Sequence, residues 1–165
     1  MQPTELARMF TRDLTRLAQQ VRAFPDVESL WKTAPGVSNA AGTLVLHLEG
    51  NLREFIGRLL GGVAYMRDRP TEFSTRGTSR EELVARVESV RDVVRNALEH
   101  MTPATLSAPY PGGFLDEPLS TYGVLVHLSG HLNYHLGQID YLRRQVTGDG
   151  AIALAGLPPA APPPG

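Results

Sequence analysis

The spacing of apolar residues between Leu83 and Met101 constrains this chain more than any other feature. Leu83, Val87, Val90, Val94, Ala97 and Met101 alternate steps of four and three without a break. That rhythm keeps one stripe on one side of an α-helix. Such a stripe must be covered by another element, and the period-two alternation that marks a strand is sustained nowhere in the chain.

Three further segments carry matching stripes. Leu6, Phe10, Leu14, Leu17 and Val21 predict a helix from about Pro3 to Ala23, with Pro3 suited to the first turn and Pro25 limiting continuation. PGVSNAAGTLVLHLEGNLREFIGRLLGG predicts a second, capped by Ser38 or Asn39, with Leu44, Leu48, Phe55 and Leu59 on one face and Gly61-Gly62 as its stop. Ser79-Arg80-Glu81-Glu82 reads as a capping box opening the third helix. The fourth opens near Ser120 or Thr121 and runs to about Val146, with Val124, Leu128, Leu132, Ile139, Leu142 and Val146 apolar and Gly148 just past its end. Four helices with one stripe each make an all-α four-helix bundle over residues 1–150, followed by a Pro/Ala-rich tail, 151–165, that is PPII-like or mobile. AYMRDRPTEFSTRGT is long for a bundle connection and is a candidate functional or partner-contacting segment. SAPYPGGFLDEP reads as irregular, with room for a short extended piece.

With 165 residues, 42% of them apolar, one domain can bury about two-thirds of the surface its unfolded chain exposes. The absence of cysteine excludes disulfides, thiolate metal sites and a Cys nucleophile, so metal ligands must be His, Asp or Glu. A net charge of −1 with interspersed signs offers no footprint for nucleic acid and no polybasic membrane patch. MQPTELARMF lacks the pattern of a signal peptide, and no apolar run approaches the roughly 20 residues of a membrane span. The expectation is a soluble cytoplasmic protein. Gly-rich phosphate loops, a GxSxG elbow and a paired-carboxylate signature are all missing.

HLSGHLNYHLGQ, residues 127–138, spaces three of the five histidines four apart. Projected at about 100° per residue, His131 and His135 fall within the apolar arc of their helix, while His127 falls to the side, a bundle-edge or outer position. His47 sits beside the Leu44, Leu48 and Phe55 stripe, so its ring can point to the same interior. Two imidazoles at i, i+4 and a third from a facing helix suit a divalent metal and leave a position open for water or substrate. The alternative is a set of hydrogen-bonded core histidines. His100 reads as a helix C-terminal residue favoured by the dipole, outside any site. Asn51, Tyr134 and Gln138 are candidate groups to position ligands or substrate.

HLSGHLNYHLGQIDYLRR resembles the last-helix motif of the DinB/YfiT-like superfamily, in which an HxxxHxGQI segment supplies two metal ligands, here His131 and His135. LVLHLEGNLREFIG resembles the family's second helix, which carries a third-ligand role onto His47. RDRPTEF, Arg67 to Phe73, resembles a connecting-loop motif of its DUF1572-like branch. The resemblance spans about residues 5–147. It implies a four-helix bundle of unusual connectivity, often dimeric, with a three-histidine metal site in an open cavity. Some relatives are similar to thiol transferases that conjugate bacillithiol or mycothiol to electrophiles, and others are isomerases. The reading that follows is a divalent metal, Zn or Ni, on His47, His131 and His135. It would bind a low-molecular-weight thiol as thiolate for attack on an electrophile, with Asn51, Tyr134 and Gln138 positioning, in a homodimer. Metal-assisted hydrolysis ranks lower because no Glu stands beside the His pair. A non-catalytic dimeric stress-response bundle with a structural or sensing metal is the reading from a different class.

Overall fold

In the computed structural model, which describes residues 2–113 and 118–156, the chain is all-α, with no strand among the described residues. The long elements are α1 (Pro3–Arg22), α3 (Ala41–Leu52) prolonged by a π-helical stretch (Arg53–Arg58), α5 (Arg80–Glu99) and α7 (Thr121–Thr147). Three short helices, α2 (Val27–Trp31), α4 (Arg69–Ser74) and α6 (Pro103–Ser107), sit in the connections. No helix among the described residues is long and apolar enough to cross a membrane.

The α1 stripe Leu6, Phe10, Leu14, Leu17 and Val21 is buried as its spacing demands, and α1 packs along α5 and α7. Beside that stripe runs a buried polar row that apolar periodicity does not reveal: Asp13, Arg16 and Gln20. Asp13 accepts from Arg12 at 2.8 Å, Arg16 at 3.0 Å and Asn133 of α7 at 2.9 Å. Gln20 donates to Asp140 at 2.8 Å and accepts from the buried Arg143 at 2.9 Å. Each of these buried charges has an opposite charge beside it, the condition under which burial is tolerated.

Helix α3 starts later than its sequence suggests. Neither Ser38 nor Asn39 caps it; Ala40 holds the N-cap position without a side-chain bond, because Ala40 and Ala41 are buried and packing, not capping propensity, sets the start. Farther on, π-type bonds from Leu59 to Glu54 and from Gly61 to Ile56 place one extra residue in the turn. The apolar register therefore slips. Leu44 and Leu48 are buried as expected and Leu52 continues their stripe, but beyond it Ile56 enters the core, while Phe55 and Leu59 are left at its margin. The stop at Gly61-Gly62 holds, with Gly62 at φ +65°, a left-handed conformation that glycine adopts without strain.

In α5 the Ser79 hydroxyl accepts from the Glu82 N–H at 3.1 Å, but the Glu82 carboxylate pairs with Arg86 at 2.7 Å instead of returning to Ser79. Only half of the expected capping box forms. Leu83, Val87, Val90 and Val94 are buried and Leu98 closes the seam; Ala97 is partly buried and Met101 lies beyond the helix end at Glu99. Helix α7 has the expected ends, Ser120 accepting from Gly123 N at 3.1 Å and Gly148 at φ +76°. Pro109 and Ser120 form an isolated antiparallel bridge, the short extended piece anticipated in SAPYPGGFLDEP, whose residues 114–117 lie outside the described ones. After α7 the chain folds back on α1: Ala155 accepts from Arg16 at 2.6 Å and donates to Gln19 at 2.9 Å. The PPII-like or mobile expectation for the tail's last residues, 157–165, also lies outside the described ones.

Candidate metal centre

Helix α3 is buried on nearly every side, which leaves His47 facing the interior whichever way the helix turns. Opposite it, the one-turn spacing on α7 stacks His131 over His135. The Nε2 atoms of His47 and His131 are 3.2 Å apart, and those of His131 and His135 3.1 Å. The ring centroids lie 4.5–5.3 Å apart, each pair nearly edge to face. With metal–nitrogen bonds of about 2.0–2.1 Å, neighbouring ligand nitrogens sit about 3.3 Å apart in a tetrahedron and about 2.9 Å apart at right angles. The observed separations fall between these values. His47, His131 and His135 form a group that could hold a metal ion, and His127, exposed on α7, is not part of it.

The far edges of two rings are held by fixed partners. His47 Nδ1 faces the Glu72 carboxylate at 3.0 Å, and His135 Nδ1 faces Gln138 Oε1 at 2.7 Å. An ionised carboxylate and an amide oxygen only accept, so both histidines carry their proton on Nδ1 and turn a bare Nε2 inward. His131 differs: its Nδ1 is buried with no partner. In the absence of a cation one proton on His131 Nε2 must serve the lone pairs of both neighbours, whereas a dication accepts all three. The donor set fits a borderline divalent metal.

Electrostatics keep the cluster in its ligand form. His131 is lowered to about 4, by burial first and then by the charges that His135, His47, His127 and Arg67 can carry. His135 is also lowered, by burial foremost, with the Gln138 bond opposing and His47 adding to it. For Glu72 burial pushes the carboxyl up, but the bonds from His47 and Arg67 together outweigh it and hold the group below its usual range.

Of the other nominated residues, Gln138 bonds His135, as above. Tyr134 is 64% exposed and lies with its ring 5.2 Å from that of His135. Asn51 is buried one turn beyond His47, its Oδ1 without a partner. His100 caps the end of α5, as its dipole reading predicts. Tyr134, His135, Gln138, Tyr141 and Gln145 of α7 and Gly36 to Asn39 of the α2–α3 connection enclose an open cleft of about 460 Å³. Ser38 and Asn39, the supposed caps, line this cleft.

Sequence reasoning missed Glu72, which reaches the site from α4. Asp68 accepts from Thr71 N at 3.2 Å and Pro70 lies in the first turn, an Asp-x-Pro start that marks a short helix within RDRPTEF. Arg67 holds both Glu72 oxygens through one guanidinium edge, Nε donating to Oε1 at 2.7 Å and Nη2 to Oε2 at 2.9 Å, and Phe73 lays its ring 5.1 Å from that of His47.

The model of the DinB superfamily matches residues 9–139, a span that holds all three histidines and Glu72. The chain belongs to the DinB superfamily. A solved structure of a DinB-like protein from Bacillus cereus ATCC 10987 is 20% identical, covers 85% of this chain and 89% of its own, and superposes with a TM-score of 0.67. At that identity the likeness is one of fold. No functionally curated protein matches. The all-α architecture expected from the stripes is thus that of a DinB-like fold, with the histidine group at the meeting of α3 and α7.

Proposed function

We propose that the protein is a metal-dependent thiol S-transferase, holding one divalent ion, Zn or Ni, on His47, His131 and His135. The observation that carries this reading is His131 Nε2 standing 3.2 Å from that of His47 and 3.1 Å from that of His135, beside an open cleft. A bound dication supplies the positive charge that keeps a coordinated thiol deprotonated at neutral pH. The protein's own groups do the rest. Glu72 and Gln138 hold the Nδ1 protons of His47 and His135, so no proton competes for the inward nitrogens. The cleft beside His135 admits the acceptor, with Tyr134 and Gln138 on its wall, and Asn51 has a free amide oxygen one turn from His47. The thiol proton passes to solvent, a C–S bond forms, and the leaving group departs or, for an epoxide, the ring C–O bond breaks and its oxygen takes up a proton.

Hydrolysis is the weaker reading even with Glu72 present. A carboxylate bonded to His47 Nδ1 lies across the imidazole from Nε2, behind the ligand and not in front of the open position. The test is loss of free thiol, with bacillithiol, mycothiol, cysteine or glutathione offered alongside monochlorobimane, in Zn2+- and Ni2+-loaded protein. Conjugation faster than in His131→Ala supports the assignment; equal rates with every thiol refute it.

A further inference from the structure

Glu72 is a buried carboxylate, 7% exposed, on a helix of six residues, and its burial requires a gap in α3. That gap is Gly50, one turn from His47. A Cβ there would stand 2.1 Å from Glu72 Oε1 and 2.7 Å from its Cδ, so a side chain at this position cannot coexist with the carboxylate where it lies. Arg67 binds both oxygens, which sets the plane of the group and turns Oε2 to His47 Nδ1 at 3.0 Å. Arg67 Nη2 is itself 3.4 Å from Nδ1, a longer contact between two donors that the shared oxygen screens. Stability alone does not call for this arrangement, since buried ion pairs contribute little net stability.

We propose that Glu72, seated over Gly50 and clamped by Arg67, is a positioning residue that fixes the tautomer and orientation of His47 and so tightens the grip of the histidine group on a divalent ion. Carboxylates behind a ligand imidazole raise its basicity as well as orienting it. The three histidines are then unequal, His47 backed by a carboxylate, His135 by an amide and His131 by neither. The inference rests on the metal reading of the site and is separable from it.

The experiment titrates the full chain with Zn2+ against a chromophoric chelator at pH 7.5, with circular dichroism as the check of fold. Glu72→Ala is expected to weaken Zn2+ binding by about 10–100-fold. Gly50→Ala, which evicts the carboxylate from its seat, is expected to do likewise. The double variant should bind no more weakly than Glu72→Ala, because both changes remove one contact. Glu72→Gln keeps an acceptor for the Nδ1 proton but cannot accept both Arg67 donors, so its loss should be smaller yet measurable; it decides the matter if Glu72→Ala does not fold. Wild-type affinity in a folded Glu72→Gln, a lower Tm without a change in Zn2+ affinity, or full additivity in the double variant overturns the inference while leaving the metal site standing. Failure of the wild-type protein to bind Zn2+ overturns both.

Discussion

Acidifying the metal-free protein tests whether the histidine cluster is built around neutral imidazole. In the fold His131 is lowered from 6.5 to about 4, burial being the main cause. Between those values the unfolded chain takes up a proton that the folded chain refuses. The stability contributed by neutral His131 is therefore intact above pH 6.5 and is lost as pH falls toward 4. At about 1.36 kcal/mol per pH unit the interval sets a ceiling of about 3 kcal/mol. The ring is only half-buried, and solvent screening brings the expected effect to about 2 kcal/mol. For a domain of this size that lowers Tm by about 4–8 °C. Calorimetry with a chelator present, at pH 7 and pH 4, compares wild type with His131→Leu, which lacks the titrating group. The variant should lose about 4–8 °C less than wild type on acidification. Equal losses in the two proteins would show that His131 titrates alike in the folded and unfolded chain, and the argument from burial would fail.

Protein purified without a His-tag should carry close to one divalent metal per chain by elemental analysis, lose it in His131→Ala or His135→Ala, and largely keep it in His127→Ala; full metal content in His131→Ala defeats the ligand set. Asp13→Ala strands the buried Arg16 guanidinium and should cost about 3–5 kcal/mol in urea unfolding, whereas a loss below 1 kcal/mol would mean that water reaches Arg16 freely. Gly42→Ala places a Cβ 2.8 Å from the Trp31 indole; the sole tryptophan should shift its emission and the fold should lose about 1–3 kcal/mol, and an unchanged spectrum would contradict that packing. Tyr122, Val126, Tyr134 and Tyr141 lie exposed along α7, and a homodimer of roughly twice 18.0 kDa is expected by analytical ultracentrifugation, a single-chain mass refuting it.

What could be read in advance follows the range of the interaction. His131 and His135 declare themselves because helical pitch alone puts i and i+4 on one face, and His47 because it lies beside its own helix's stripe. The ends of α1 and α7 were legible for the same reason, as Pro3, Ser120 and Gly148 act on their immediate neighbours. The burial of Ile56 in place of Phe55 was not, since an α-helical projection assumes 3.6 residues per turn and the π-helical stretch after Leu52 breaks that count. Nor was the start of α3, where burial of two alanines prevailed over two good caps. Glu72 lies 25 residues from His47 and meets it only through a missing side chain at position 50. Nothing in periodicity announces a contact made by absence.

The return of the chain onto α1 after α7 has a practical corollary. Composition would place the edge of the globule near residue 150, yet the carbonyl of Ala155 shields the guanidinium of Arg16, and that of Gly150 shields Arg143. Trimming after residue 150 would remove the Ala155 carbonyl and expose the interior guanidinium of Arg16 to solvent it is not shaped to receive. A shortened version made for crystallisation should therefore keep everything through Gly156.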